Sequence, residues 1–296
     1  MGPVVTGERP EPHPPADAVR EAVARALAED LGPEGDITAA LVPAEVQARG
    51  ELVARAAGVV AGQLCATEAF AQVDPAVVVR WRRADGEVVT PGDVVAEVEG
   101  PLRSLLTAER TALNFLCHLS GVATLTHCFV QAVTAANSSA RVLDTRKTTP
   151  GLRVLEKAAV RAGGGWNHRA GLSDAVLVKD NHLAGLTITA AVAEARRLWP
   201  GRTVEVECDR PDQVDEAVDA GVDVVMLDNM TPDQVARCVE LVRAKRARGA
   251  VLIEVSGGLT LERAPAYAAA GADRLSVGAL THSAPVLDIG LDFEER

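Results

Sequence analysis

Charged or glycine-rich turns close six short apolar segments of this sequence, and their residue types are those that bind anions and metal ions. The six turns read Asp144-Thr145-Arg146-Lys147, Lys179-Asp180-Asn181-His182, Glu207, Asp228-Asn229, Ser256-Gly257-Gly258 and Ser276-Val277-Gly278. Arginine binds carboxylates through paired hydrogen bonds, whereas lysine binds phosphate as a point charge. Both kinds of cation are present, which predicts one substrate with carboxylates and one with phosphates.

The charged residues divide by sign into a cationic and an acidic group. The cationic group is Arg146, Lys147, His168, Arg169 and Lys179, and the acidic group is Glu207 and Asp228. Only four of the 30 basic residues are lysine, and two of these four lie in the cationic group. Cations around one cavity repel one another unless a multiply charged ligand occupies it. His168 is predicted to contact that ligand, with a plain loop histidine as the alternative.

Glu207 and Asp228 are the candidate metal ligands. Two carboxylates together with phosphate oxygens are a typical arrangement for Mg²⁺. The alternatives are contacts to ribose hydroxyls, or ion pairs with Lys147 and Lys179. Glu205 lies on the same face of its predicted strand as Glu207, because side chains alternate along a strand, and is a candidate for a structural role inside the fold.

The two glycine turns are candidates for binding a phosphate through backbone N–H groups. They comprise Ser256, Gly257 and Gly258 in one turn, and Ser276, Val277 and Gly278 in the other. A plain helix cap is the alternative for either turn. Two such turns after the last two predicted strands favour the phosphate site.

The elements that must position these residues alternate between strand and helix. Strands are predicted at residues 141–145, 175–179, 203–207, 223–228, 251–256 and 274–277, with a helix after each of the first five. Such repetition is typical of parallel strands joined by right-handed crossovers. Six or seven strands predict an incomplete parallel α/β barrel, with its chemistry at the carboxyl ends of the strands.

The residues before this repeat predict a separate α/β sandwich domain. A helix is predicted at residues 17–31, a β-rich region at 50–108 and a connecting helix from Thr107 to about Ala136. The predicted divisions are a disordered tail at 1–15, a sandwich domain with its connecting helix at 16–136, the barrel at 137–279, and a final segment at 280–296 that returns to the first domain.

Composition narrows the classes of function. The chain has 296 residues and a net charge of −11, which argues against nucleic acid or an anionic membrane as partner. No apolar run reaches the length of a membrane span, and residues 1–15 lack the features of a secretory signal. Five cysteines without a C-x-x-C pair predict reduced thiols and a cytoplasmic protein.

Two other functions have less support from the sequence. The pattern around Asp85-Gly86 and Pro91-Gly92-Asp93 is similar to biotinyl and lipoyl carrier modules, but no lysine that could be modified occurs before Lys147. Lys179 at a strand end also suggests a Schiff-base aldolase, for which a lysine of lowered pKa in an apolar pocket is needed.

The motifs together resemble the quinolinate phosphoribosyltransferase family over nearly the whole chain. The matching segments are GDIT at 35–38, AERTALNFL at 108–116, DTRKTTPGLRVLEKAAVRAGGGWNHRAGLSD at 144–174, VLVKDNH at 176–182, VEVEC at 204–208, MLDN at 226–229, EVSGGL at 254–259 and SVGALTHS at 276–283. The resemblance implies a type II phosphoribosyltransferase fold, a magnesium requirement, and a homodimer or a hexamer built from dimers. It also implies transfer of phosphoribose from phosphoribosyl pyrophosphate to quinolinate with loss of CO₂.

The resemblance also implies a role for each residue. Arg146, His168 and Arg169 would hold the quinolinate carboxylates, with Arg110 arriving from the partner subunit. Lys147 and Lys179 would face quinolinate and pyrophosphate, Glu207 and Asp228 the ribose or magnesium, and the glycine turns the 5-phosphate. A related phosphoribosyltransferase that acts on another aromatic acid is the alternative.

Overall fold

The structure is a computed structural model that describes residues 13–245 and 250–293. It divides into two units. The barrel unit comprises Cys128–Lys147 and Gly165–Gly278, and the antiparallel unit comprises Thr148–Gly164, the described residues before Cys128 and those after Gly278. Residues 1–12 of the predicted tail lie outside the described residues.

The antiparallel unit contains a four-stranded sheet. Its strands are β1 (Gln47–Ala54), β3 (Val78–Trp81), β5 (Val94–Pro101) and β12 (Ile289–Phe293), in the order β12-β1-β5-β3. A two-stranded ribbon, β2 (Gly58–Val59) with β4 (Val88–Val89), accompanies it. The C-terminal strand β12 is an edge strand that pairs antiparallel with β1.

The helices of this unit are α1 (Ala16–Leu31), α2 (Gln63–Val73), α4 (Arg153–Ala162) and α10 (Ala279–His282). The helix α2 corrects the prediction that residues 50–108 are only β-rich. Its buried residues Cys65, Ala66, Ala69 and Phe70 recur at helical spacing, and most of its residues are good helix formers. Gly62 begins it at φ +103°, a conformation that favours glycine.

The long helix α3 (Leu102–Ala136) starts directly after β5, five residues before the predicted start. Its residues up to His127 belong to the antiparallel unit and those from Cys128 to the barrel unit. By length and composition α3 could cross a membrane, but 56% of its most apolar stretch is buried in the protein, as in a core helix. It is therefore weak evidence for a membrane span.

The barrel unit contains a parallel sheet of six strands in the order β6-β11-β10-β9-β8-β7. The strands are β6 (Arg141–Leu143), β7 (Val176–Val178), β8 (Val204–Cys208), β9 (Val224–Asp228), β10 (Leu252–Ser256) and β11 (Arg274–Ser276). Each lies within two residues of its predicted position. The helices of this unit are α5 (Asp180–Leu183), α6 (Ile188–Leu198), α7 (Pro211–Ala220), α8 (Pro232–Ala244) and α9 (Ala264–Ala269). The helix α4, which follows β6 in the chain, belongs to the antiparallel unit.

The predicted incomplete barrel is confirmed, because β6 and β7 form the two edges of the sheet and do not pair with each other. Trp166 makes an isolated parallel bridge to Leu143 at the β6 edge. Its amide donates to the Val142 carbonyl, and the Asp144 amide donates to the Trp166 carbonyl. This bridge attaches the segment that follows Trp166 to the carboxyl end of β6.

The valines of β8, the apolar side chains of β9, and Ile253 and Val255 of β10 are buried, as expected for strands covered on both faces. Capping residues mark the ends of the helices between these strands. Gly221 ends α7 in the left-handed conformation, and Thr231 with Gln234 forms a capping box before α8. These short, well-defined connections hold the strand ends in register.

Candidate active site at the carboxyl ends of the parallel strands

Parallel pairing brings the predicted site segments of the barrel unit to one edge of its sheet. Val178 pairs with Val206, Ser256 with Asp228, and Ser276 with Leu143. The residues that follow these strand ends are therefore neighbours around the opening of the barrel. This is the edge at which barrel enzymes carry out their chemistry.

Lys179 and Glu207 form an ion pair across neighbouring strands. Asp228 lies on the next strand, where burial and the charge of Glu207 raise its pKa, while Lys179, Asn229 and Lys147 lower it. The structure thus brings both predicted lysines and both predicted acids together. The ion pair that was the alternative to a metal role is present for Lys179 and Glu207.

Arg146 and Arg169 form the second charged cluster of the site. Burial lowers the pKa of Arg169, and the charge of Arg146 lowers it further. The Arg169 guanidinium donates a hydrogen bond to the Ala175 carbonyl at 3.1 Å. The hydroxyl of Thr145 accepts from the Lys147 amide at 2.9 Å and so fixes the turn that carries Arg146.

His168 lies deeper in the barrel unit than a surface loop residue would, with its side chain only 10% exposed. Its Nε2 lies 3.1 Å from the Glu205 carboxylate and 3.3 Å from that of Glu254. Burial lowers the pKa of His168, but its hydrogen bonds to the two glutamates outweigh burial and raise it to about 10. The Arg169 amide opposes that charge, because it is directed at Nδ1 at 2.8 Å.

His168, Glu205 and Glu254 place their ligand atoms within 4.8 Å of one another, a spacing that a metal ion can bridge. Their closest approaches, however, are those of direct hydrogen bonds. Arg274 lies 3.9 Å from the second oxygen of Glu254 and supplies a further positive charge. The donor set therefore fits a histidine held by acids better than a metal centre.

The first glycine turn is suited to close approach of a ligand. Gly257 and Gly258 have φ of +97° and +55°, and a Cβ on Gly257 would lie 2.2 Å from the Asn229 side chain. Their amides donate to no backbone carbonyl within the described residues. Successive N–H groups in such a conformation form an anion-binding concavity.

The second glycine turn offers fewer donors. The Ser276 hydroxyl donates to Glu254 at 2.5 Å, and the Val277 amide donates to the Leu143 carbonyl at 2.9 Å. Both groups therefore already have partners in the barrel unit. The Ser256–Gly258 turn is the stronger candidate for a phosphate.

Arg110 belongs to the antiparallel unit, where it lies on α3 with an exposed side chain. The residue that sequence reasoning missed is Glu254, which is fully buried on β10. Its signal was an acid in the middle of a strand of mainly apolar residues. Glu254 and Glu205 both lie below the strand ends, where no substrate role was expected.

Comparisons with known proteins identify the family of this chain. A family model described as the C-terminal domain of quinolinate phosphoribosyl transferase matches residues 122–292, and the N-terminal domain model matches residues 36–120. The chain is 45% identical to the nicotinate-nucleotide pyrophosphorylase [carboxylating] of Mycobacterium leprae, over 94% of this chain and 98% of that one. It is 41% identical to a probable enzyme of the same name from Bacillus subtilis, over 89% of both chains.

A solved structure also matches this chain over nearly its full length. The nicotinate-nucleotide pyrophosphorylase from Francisella tularensis superposes with a TM-score of 0.89 at 38% identity, covering 97% of this chain and all of that one. The matches extend over both units and every motif of the site. The chain therefore belongs to the quinolinate phosphoribosyltransferase family, the carboxylating nicotinate-nucleotide pyrophosphorylases of NAD biosynthesis.

Proposed function

We propose that the cations and acids at the carboxyl ends of the parallel strands carry out the decarboxylating phosphoribosyl transfer of this family. The observation that carries the proposal is the grouping of Lys147, Lys179, Glu207 and Asp228 around one opening. In the reaction the ring nitrogen of quinolinate bonds to the anomeric carbon of phosphoribosyl pyrophosphate, and the bond from that carbon to pyrophosphate breaks. The 2-carboxylate then leaves as CO₂ and the product is nicotinate mononucleotide.

Arginine side chains are the proposed contacts for the quinolinate carboxylates. Arg146 lies close enough to lower the pKa of Arg169, so two guanidinium groups share one region of the site. A dicarboxylate relieves the repulsion between them, and each carboxylate accepts paired hydrogen bonds from one guanidinium. His168 is the proposed support of this pair, through its contact with the Arg169 amide. Arg110 is the proposed further contact from a second copy of the chain.

Lys147 and Lys179 are the proposed partners of quinolinate and of the departing pyrophosphate. Charge develops on pyrophosphate as its bond to ribose breaks, and a fixed ammonium group stabilises that charge without having to reorganise. The anomeric carbon becomes positively charged in the same step. Glu207 and Asp228 are the proposed contacts for the ribose hydroxyls beside it.

The same two acids fit a magnesium ion. Burial and the charge of Glu207 both raise the pKa of Asp228, so the two carboxylates repel each other where a divalent cation would relieve that repulsion. Carboxylate oxygens are also the ligands that Mg²⁺ prefers. When bound by Glu207 and Asp228, magnesium would supply charge neutralisation for the pyrophosphate oxygens.

The Ser256–Gly258 turn is the proposed site for the 5-phosphate, with the Ser276–Gly278 turn beside it on the neighbouring strand. Holding that phosphate and the quinolinate carboxylates fixes the distance between the ring nitrogen and the anomeric carbon. After transfer the ring nitrogen is cationic. Loss of CO₂ leaves the electron pair of the broken bond on C2 beside that charge, and this pair then takes up a proton, so the step needs mainly positioning.

The proposed assembly is a homodimer, or a hexamer built from dimers, in which Arg110 completes the partner's site. The proposed location is the cytoplasm, which agrees with five free cysteines. Neither nucleic acid nor membrane is proposed as a partner.

Competition between acids tests the proposed substrate. Quinolinate is expected to be converted far better than nicotinate, because two carboxylates engage the arginines where nicotinate offers one. Rates measured with both acids at equal concentration, with phosphoribosyl pyrophosphate and magnesium, give this ratio. Preference for nicotinate or another monoacid would replace quinolinate by that acid in the same site.

A further inference from the structure

Three acids of the barrel unit are buried and have no part in the proposed reaction. Asp144 follows β6, Glu205 lies on β8 and Glu254 lies on β10, and their exposed fractions are 0%, 3% and 0%. Buried carboxylates commonly cost stability compared with apolar residues of similar volume. Their presence together in one unit therefore calls for a role other than stability.

The three acids converge on His168. The Glu205 and Glu254 carboxylates lie 3.1 and 3.3 Å from its Nε2. Asp144 accepts the His168 amide at 2.9 Å and the Asn167 side chain at 2.5 Å. The ring and the backbone of one residue are thus anchored from three different strand segments.

His168 passes this constraint on to Arg169. The Arg169 amide nitrogen lies 2.8 Å from His168 Nδ1, so the orientation of the ring sets where the Arg169 backbone can lie. The glutamates hold the same ring from its other side, at Nε2. If the glutamates no longer held the ring, the ring could rotate and its contact with the Arg169 backbone would be lost.

Arg169 needs such an anchor because of its surroundings. Burial and the nearby charge of Arg146 both disfavour the charged form of the Arg169 side chain, whereas the charge of Glu205 favours it. A long cationic side chain beside a second cation would otherwise turn toward solvent. The buried acids therefore supply both a fixed backbone and a compensating charge below the arginine pair.

We propose that Glu205 and Glu254 are positioning residues that act through His168 to hold Arg169 in place for a ring carboxylate of the substrate. This inference rests on the proposed carboxylate-binding role of Arg169. It assigns the two glutamates to substrate affinity, and the acids do not touch the substrate themselves.

The test uses Glu205→Gln and Glu254→Gln, which keep the shape of each side chain and remove its charge. The Kd for quinolinate, measured by direct titration, and the KM for quinolinate should each rise about tenfold, as expected when an interaction with a charged group is lost. For Glu205→Gln the KM for phosphoribosyl pyrophosphate should change less than about twofold, because the hydrogen bond of Glu205 is to His168. Glu254 also accepts from the Ser276 hydroxyl beside the proposed phosphate turn, so Glu254→Gln is judged on the Kd for quinolinate. If Glu254→Gln does not fold, Glu205→Gln carries the test alone.

Glu156→Gln is the matched control. Glu156 is a fully buried glutamate of the antiparallel unit, and it accepts from the Thr149 amide and contacts His118 at 2.9 Å. The same substitution there should lower the thermal midpoint but leave the Kd for quinolinate unchanged. A purely structural role predicts this behaviour for Glu205 and Glu254 as well, and that result would overturn the inference.

A double-mutant cycle adds a second criterion. If the glutamates act through Arg169, Glu254→Gln combined with Arg169→Lys should weaken quinolinate binding by less than the product of the two single effects. Independent, multiplicative effects would contradict the inference. Failure of the wild-type protein to bind quinolinate would instead overturn the proposed function, so the two failures are distinguishable.

Discussion

The antiparallel sheet and the carboxyl-end edge of the parallel sheet both carry many charged side chains, but they arrange them differently. On the antiparallel sheet each arginine meets an acid across a strand boundary, as in Arg80–Glu99 at 2.8 Å and Arg55–Asp292 at 2.7 Å. At the parallel edge Arg146 instead lies near Arg169, and Glu207 lies near Asp228. Charges of one sign have been brought together there, and Glu207 in addition pairs with Lys179.

This difference distinguishes charged residues that pair within the fold, as on the antiparallel sheet, from charged residues that are arranged to bind a ligand, as at the parallel edge. Exposed pairs of opposite sign contribute little to stability and need nothing more. Like charges held together cost free energy until a ligand of opposite charge binds between them. The parallel edge is therefore the region whose charges are expected to matter for activity.

The largest expected effect comes from exchanging subunits. Arg110→Ala and Lys179→Ala should each be nearly inactive alone, and their mixture should regain about a quarter of wild-type activity, because about half the dimers are mixed and one of their two sites is complete. The measurement is activity after subunit exchange, which is verified by mass spectrometry with one labelled variant.

A matched mixture provides the control for this experiment. Arg146→Ala with Lys179→Ala should regain nothing, because both residues belong to the barrel unit of the same subunit. If the Arg110 mixture also regains nothing under verified exchange, Arg110 acts within its own subunit or has no role.

The acidic pair should show the next largest effect. Glu207→Ala and Asp228→Ala should lower magnesium-dependent turnover by about a hundredfold, the scale of losing charge stabilisation at the reacting centre. Quinolinate binding should remain largely intact, since the arginines hold its carboxylates. A quinolinate titration beside a thermal melt checks both points, and loss of quinolinate binding by a folded variant would remove the metal and ribose role.

The arginine pair should show a smaller but selective effect. Arg146→Lys and Arg169→Lys should each raise the KM for quinolinate about tenfold or more, because an ammonium cannot form paired hydrogen bonds to a carboxylate. The KM for phosphoribosyl pyrophosphate should change much less. Steady-state kinetics with each substrate varied in turn measure this difference, and equal changes for both substrates would contradict the assignment.

The smallest effect is expected on the antiparallel sheet. Arg82 pairs with Glu97 at 2.5 Å, but its side chain is 57% exposed. Arg82→Gln should shift the thermal midpoint by less than about 2 °C and leave the kinetic constants unchanged. A large loss of activity from this variant would show that charge on the antiparallel sheet also serves the ligand, and the contrast between the two regions would fail.

The sequence predicts the barrel strands and the edge that carries the chemistry, because apolar runs between helical repeats depend on local spacing. It does not predict α2, because its glycine-flanked apolar residues also suit short strands. The sequence does not predict the contacts of His168 either. His168 and Glu254 lie far apart in the chain, and only the order of the strands brings them together. For the same reason the sequence does not reveal that the Val277 amide is bonded to Leu143.

Product analysis tests the central claim most directly. The wild-type protein is mixed with quinolinate labelled in its 2-carboxylate, phosphoribosyl pyrophosphate and magnesium, and the products are separated and identified. We expect nicotinate mononucleotide, pyrophosphate and labelled CO₂ in equal amounts, and none of them when either substrate is omitted. A mononucleotide that retains the labelled carboxylate, or no product from folded protein, would contradict the account.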